Sequence, residues 1–380
     1  MKTIYAENTH GIINRVQGSV YGYQGWPTVA RDENGTLYAV ISGFRLQHVC
    51  TFGKTVMHIS KDNGKTWTPP IVINDTYMDD RDAGIVYLGN GKMVVSWFTH
   101  SAHFYKNYLY DWIVSDVAYA SPAALNMVKG ALEDYDALPD CDKVGGSYVR
   151  VSEDYGVTWS DIIRVPVSAP HGPTVRKDGT LMYLGNKMYR DGINPSGNET
   201  KDDHEKNNVC SIYESKDGGY TWEETVNFAA PVWLGEKESL CEPHILELQN
   251  GRIYGVFRLE GGGAFSIATT YSDDGGKTWS DIIPTGVAGA PPHLLQHSSG
   301  ALIMSFGRRS VPFGEFAWVS YDNGTTWEEE YAIDTNTDNG DLGYPATVEL
   351  DDGSLLTVYY QKLPGDMKTS FLCTRWNLKK

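Results

Sequence analysis

Apolar residues recur along the chain as pairs of short runs, each pair hinged on a glycine turn. Six segments share this form: WPTVARDENGTLYAVISG (26–43), DAGIVYLGNGKMVVSWF (82–98), HGPTVRKDGTLMYLG (171–185), EPHILELQNGRIYGVFR (242–258), PHLLQHSSGALIMSFGR (292–308) and YPATVELDDGSLLTVYY (344–360). Runs of this length bounded by turn residues predict β-hairpins. A second repeat, Ser-x-Asp-x-Gly-x-Thr-Trp, interleaves with the first: SKDNGKTW (60–67), SEDYGVTW (152–159), SKDGGYTW (215–222), SDDGGKTW (272–279) and SYDNGTTW (320–327). In such a turn the Asp accepts hydrogen bonds from backbone amides two or three residues on, and the Gly supplies a positive φ. The Trp is left to cover the neighbouring apolar layer. Hairpin, third strand, Asp turn and fourth strand make one antiparallel four-stranded blade, and radial repetition of blades makes a propeller. The expected fold class is all-β: a six-bladed β-propeller occupying residues 1–380 as one domain. The sixth repeat lacks its Asp turn. TSFLCTRWNL (369–378) predicts its third strand, and a strand within residues 3–16 is expected to close the ring.

One interruption breaks the pattern. Blade 2 carries an insertion at about 99–146, in which SPAALNMVKGALEDY (121–135) has a Ser N-cap, Pro in the first turn and apolar residues at helical spacing. A helical insertion is predicted there. Composition adds constraints. Aromatics at 12% and 40 glycines suit short strands and tight turns. A net charge of −16 excludes a phosphate backbone as partner. No apolar run approaches the roughly 18–20 residues that span a bilayer, so no membrane partner is expected. The opening MKTIYAENTHGIINR has no apolar signal region. A cytoplasmic location is expected, or secretion if a leader has been removed. Five cysteines, odd in number and with no CxxC pair, read as reduced thiols.

Blade geometry sorts the loops. Asp turns and hairpin turns share one face. The opposite face collects the inner-strand starts and the loops after each second strand, including the long segments 43–55, 186–208, 228–242 and 331–344. Loop length marks this second face as the working one. Inner-strand starts bring Trp26, Arg81, Asp82, His171, Glu242, His244, His293 and Tyr344 toward its central mouth. Second-strand exits add Arg45, His100, Arg258 and Arg308.

The Asp boxes resemble those of the sialidase superfamily across essentially the whole chain. CEPHILELQNGRIYGVFR is similar to the sialidase segment in which a Glu opens an inner strand and an Arg ends the next. The resemblance implies that Glu242 is the base of a nucleophilic tyrosine and that Arg258 belongs to a carboxylate-binding arginine triad. GYPATVEL resembles the segment carrying that tyrosine, Tyr344, and Arg308 (or its neighbour Arg309) matches a second triad arginine. A phenol ionises near pH 10, so it needs an adjacent carboxylate to attack. A tyrosine nucleophile suits a sugar whose own carboxylate would repel an anion.

The sequence departs from the sialidase pattern twice. Gly25-Trp26-Pro27 stands where sialidases have Arg-Ile-Pro, and the LQHVC loop after Arg45 has no acid/base Asp. Trp26 offers an aromatic platform there, and Arg81 a replacement guanidinium. His48, with a pKa near neutrality, and Asp82, with Asp80 close by, are the substitute acid/base groups. Cys50 is expected to pack. His48-x-Cys50 and His100-x-x-His103 are not zinc spacings, so neither metal nor cofactor is expected. The catalytic set is Tyr344, Glu242, His48 and Asp82, and the substrate-binding set is Arg45, Arg81, Arg258, Arg308, Trp26, His171 and His244. The expected function is a sialidase-like glycoside hydrolase removing a terminal, acidic sugar from an oligosaccharide. The alternatives are a lyase on uronic-acid substrates using Arg, His and Tyr, and a non-catalytic carbohydrate-binding propeller. Sugar identity, linkage, the identity of the acid/base group, retention or inversion, metal binding and oligomeric state are left open.

Overall fold

A computed structural model describes residues 2–107, 109–118, 122–187, 210–261 and 265–379. Six sheets are arranged around a central channel, each built on four antiparallel strands, which in all but the last blade run outward in chain order. Their innermost strands are Tyr23–Arg31, Arg81–Gly89, Thr174–Val175, Ser239–Glu247, Pro292–Gln296 and Leu342–Glu349, which define blades 1 to 6. From residue 188 on, the expected active-face loop 186–208 lies outside the described residues.

Blade 6 closes the ring as expected. Its third strand, Ser370–Trp376, pairs antiparallel with Asn8–Asn14 from the other end of the chain. The N-terminus also does something the pattern did not foretell. Thr3–Tyr5 adds a parallel fifth strand to blade 5, with Ile4 opposite Tyr331. Three residues of mixed polarity carry no period, so that pairing had no sequence signal.

The Asp boxes show why their residues recur. Asp62 accepts the Thr66 N–H at 2.9 Å and its hydroxyl at 2.6 Å, while Ser60 Oγ accepts the Gly64 N–H at 3.0 Å. The same bonds recur around Asp154, Asp217, Asp274 and Asp322. Each turn delivers its Trp to the apolar layer shared with the preceding blade. Trp67 packs between blades 6 and 1, Trp159 between 1 and 2, Trp222 between 2 and 3, Trp279 between 3 and 4, and Trp327 between 4 and 5. The remaining joint, between blades 5 and 6, has no box. Trp376 fills it instead, fully buried among Ile303, Val319, Tyr331 and Leu355, with its indole N–H on Thr357 Oγ1 at 2.9 Å.

The blade 2 insertion contains the predicted helix, Pro122–Ala137, and three shorter ones, Ala102–Asn107, Tyr110–Ala118 and Asp140–Lys143. The apolar faces of the first three form a core of their own with Leu46, Val49 and Cys50. The insertion therefore rests on the loop that follows Arg45. Tyr135 donates to the Thr51 carbonyl at 2.5 Å and Gln47 to the Ile113 carbonyl at 3.1 Å, which pins that loop from both sides.

Trp376→Ala is expected to cost about 3–5 kcal/mol, because it empties the one joint without an Asp box. Trp279→Ala, at a partly exposed position, is expected to cost clearly less. Urea midpoints of the two variants check the order, and equal losses would contradict it.

Candidate active site

The mouth of the channel is built by one backbone device used four times. Trp26, Asp82, Glu242 and Tyr344 all have positive φ, at 58°, 53°, 42° and 54°. Each coincides with a slip in the pairing of the inner strand with its neighbour, a β-bulge. Bulky residues rarely adopt this conformation, and it costs about 1–3 kcal/mol at each site. Pro27, Pro243 and Pro345 follow three of the bulges, where the missing N–H removes a donor that the broken ladder could not pair. Blade 3 has Gly172 next to Pro173 at φ 72°, and so presents no side chain there.

Tyr344 and Glu242 meet across the mouth. The phenol donates to Glu242 Oε1 at 2.6 Å, and Arg258 Nη1 donates to Glu242 Oε2 at 2.6 Å. Arg258 is also 3.5 Å from the Tyr344 oxygen and pairs with Glu260 at 3.2 Å. Burial alone would raise the pKa of Glu242, but Arg258 and the Tyr344 hydrogen bond overcome it and hold the carboxyl below its usual range. Burial and the Glu242 charge push Tyr344 well above an ordinary phenol. The resting pair is thus a carboxylate accepting from a neutral phenol.

Asp82 stands in the same mouth with the opposite tendency. Burial, opposed by Arg81 and reinforced by Glu242, raises its pKa to about 7. It is 6% exposed, and its Oδ1 has no hydrogen-bond partner. Its charge is felt by Tyr344. Arg81 lies with its guanidinium 4.2 Å from the centre of the Trp26 ring.

Five of the expected site residues need correction. Arg45 is wholly buried: both terminal nitrogens bond Asp79, one bonds Ser42 Oγ at 2.8 Å and the other the His48 carbonyl at 2.9 Å. A buried guanidinium must be paired, and Asp79 claims this one. It is a support for the loop, out of reach of a ligand. Trp26 is 1% exposed, beneath His48 and against Tyr344 and Tyr360, so it is core and no platform.

Arg308 turns away from Tyr344 to Glu330, at 2.6 Å, and to the Ala288 carbonyl. Side chains alternate along a strand, so the next residue faces the mouth. Arg309 bonds the Leu342 carbonyl at 3.0 Å and the Tyr360 hydroxyl at 3.2 Å, with its guanidinium 5.8 Å from the Tyr344 ring centre. His171 and His244 lie with His293 in the channel, buried and edge-on or stacked at 4.5–5.8 Å. His244 Nδ1 accepts the Leu294 N–H at 3.1 Å, and burial lowers all three pKa values, His293 to about 3. These neutral rings fill the channel and do not line a ligand site. Among the described residues no cluster of three or more His, Cys, Asp or Glu is placed to hold a metal.

His48 gains partners that sequence reasoning missed. Tyr23 donates to Asp341 Oδ1 at 2.8 Å, and His48 Nδ1 lies 2.9 Å from the Tyr23 oxygen and 3.4 Å from Asp341. With the Tyr23 hydroxyl hydrogen directed at Asp341, the Tyr23 oxygen accepts from His48 Nδ1–H, and Nε2 carries the lone pair. Burial lowers the His48 pKa against the opposing pull of Asp341. Trp112, from the insertion and 48% exposed, stacks on the imidazole at 5.9 Å. Asp341 lies three residues before Tyr344 in GDLGYP, a position that no period or motif singles out. Cys50 is buried in the insertion core.

Residues 135–357 match the family model described as a BNR repeat-like domain, and residues 58–69 match the BNR/Asp-box repeat. No curated protein matches the chain. Among solved structures it is similar to a protein of unknown function from Dyadobacter fermentans DSM 18053, with 22% identity, 97% of this chain and 98% of that one covered, and a TM-score of 0.73. The intramolecular trans-sialidase from Ruminococcus gnavus, solved with oseltamivir carboxylate, shares 15% identity over 97% of each chain with a TM-score of 0.63. The α-L-arabinofuranosidase of Fusarium graminearum, solved with arabinobiose, shares 13% identity over 97% of this chain and 98% of that one, also at 0.63. The match to residues 135–357 spans more than half of the 380 residues, so the chain belongs to the BNR repeat-like domain family, with the six-bladed propeller of the sialidases.

Proposed function

We propose that the protein is a retaining glycoside hydrolase that removes a terminal acidic sugar from an oligosaccharide. The observation that carries this reading is the 2.6 Å hydrogen bond from Tyr344 to a Glu242 carboxylate held by Arg258. The Tyr344 oxygen attacks the anomeric carbon as its proton passes to Glu242, forming a glycosyl–tyrosine bond and breaking the glycosidic one. Asp82, protonated up to about pH 7, gives its proton to the departing oxygen. It then takes a proton from the water that cleaves the glycosyl–tyrosine bond, while Glu242 returns its proton to the departing Tyr344 oxygen. Arg81, Arg258 and Arg309 bring three guanidinium groups to the mouth on a chain of net charge −16, which supports a substrate carboxylate. Arg81 supplies from blade 2 the charge that Trp26 does not.

A panel of 4-methylumbelliferyl glycosides (neuraminide, glucuronide, galacturonide, arabinofuranoside) tests the substrate class. Release from an acidic glycoside, with a loss of about 10³-fold or more in Tyr344→Phe and in Glu242→Gln, is expected. Full activity in Tyr344→Phe would overturn the mechanism. Unsaturated products absorbing in the ultraviolet would indicate a lyase, with the His48–Asp341 pair as its base.

The acid role of Asp82 has a pH signature. A general acid must be protonated, so kcat/KM is expected to fall above about pH 7, and Asp82→Asn to lose that limb along with most of the rate. Stability moves the same way. The folded state holds the Asp82 proton more tightly than the unfolded chain, so stability falls as pH rises from about 4 to about 7. Asp80, also raised to about 7 by burial, adds a parallel slope. Asp82→Asn is expected to flatten the decline by up to about 1.4 kcal/mol per pH unit, read from urea midpoints. An unchanged slope would contradict the shift.

A further inference from the structure

A second cavity, of about 640 Å³, opens where the outer part of blade 1 meets blade 2 and the insertion. Its lining includes Asn74, Tyr77, Cys141, Tyr148, Arg150 and Ile162, together with two carboxylates, Asp142 and Asp75, the latter paired with Lys54. Asn74 ends the outer strand of blade 1 and is 2% exposed, yet its side-chain oxygen has no hydrogen-bond partner. Arg150, on the third strand of blade 2, has a buried Nε without a partner and makes no ion pair among the described residues. Among the described residues its one hydrogen bond runs from Nη1 to the Ile73 carbonyl, at a long 3.5 Å. Buried polar atoms are nearly always satisfied, and leaving one bare costs about 1–3 kcal/mol. An unpartnered acceptor and a cationic donor lining one cavity suit a ligand that offers a hydroxyl and an anionic oxygen.

The rest of the cavity narrows that ligand to a sugar. Tyr77 and Ile162 stand exposed at its edge, and the Tyr148 ring is held flat against Trp97 at 5.7 Å. Aromatic and aliphatic faces suit the C–H face of a pyranose, while the amide oxygen and guanidinium suit its rim. The cavity also shares a loop with the mouth. Met78 lines the cavity, and the next residue, Asp79, holds Arg45, which in turn holds the His48 carbonyl.

We infer that this cavity is an accessory sugar site that takes an acidic residue of the glycan other than the one cleaved, its carboxylate on Arg150 and a hydroxyl on Asn74. Its role in holding the same glycan rests on the hydrolase reading above; its binding of a uronate does not. Cys141, the exposed thiol among the five cysteines, lines the cavity and reports occupancy. Alkylation of Cys141 by iodoacetamide, followed by peptide mass spectrometry, is measured with glucuronate, galacturonate or galactose present. A uronate at ten times its Kd is expected to slow alkylation about tenfold, and galactose to leave it unchanged. The protection is expected to persist in Tyr344→Phe and to vanish in Arg150→Gln, with Asn74→Ala as a second variant. No protection by either uronate, equal protection by galactose, or protection surviving in Arg150→Gln would overturn the inference. None of these outcomes depends on turnover, so a hydrolase that lacks the site and a site on a non-hydrolase are told apart.

Discussion

A carboxylate can stay ionised inside a crowded protein mouth only if a cation accompanies it, and this requirement organises the centre of the propeller. Arg258 keeps Glu242 charged, and Glu242 in turn keeps the Tyr344 phenol hydrogen-bonded and neutral. The three groups come from blades 4 and 6, so their meeting depends on closure of the ring. Asp82 is buried near the same charge without a hydrogen-bonding donor on its Oδ1, and burial first, then Glu242, raises its affinity for a proton. Two carboxyls in one mouth are thereby driven in opposite directions, one toward accepting a proton and one toward giving it.

The scaffold delivers that arrangement by two repeated devices. On the far face, the Asp-box turns fix a Trp into five of the six joints, and Trp376 fills the sixth. On the working face, bulges at Trp26, Asp82, Glu242 and Tyr344 turn side chains into the channel mouth. Evenly packed joints hold the inner strands in place, and the strained bulges then set which side chains meet. The insertion adds asymmetry. It clamps the loop that follows Arg45 and brings Trp112 against His48, so one side of the mouth is walled by helices.

The blades and their order were legible because hairpin periods and Asp boxes are local patterns with local causes. Glu242, Arg258 and Tyr344 were legible for a related reason, since each sits at a fixed offset within a repeat. The failures have one cause in common: they turn on side-chain direction or on contacts between distant segments. Arg308 and Arg309 differ by a single position, and strand parity sends one to Glu330 and the other to the mouth. Arg45 looked like a ligand-binding arginine until Asp79, which no motif marks, took it into the interior. Trp26 and the channel histidines face inward as expected, but the channel is packed at their depth, so they are covered. Tyr23, Asp341 and Trp112 come from three different segments, and no spacing links them.

The central claim is that Tyr344, with Glu242 behind it, is the group that bonds to the sugar. The most direct measurement uses a fluorinated acidic glycosyl fluoride, whose glycosyl–enzyme bond forms faster than it breaks, followed by peptide mass spectrometry of the quenched protein. The account predicts one glycosyl adduct, located on the peptide carrying Tyr344, and none in Tyr344→Phe. An adduct on Asp82 or Glu242, or turnover of the parent glycoside with inversion at the anomeric carbon, would contradict it.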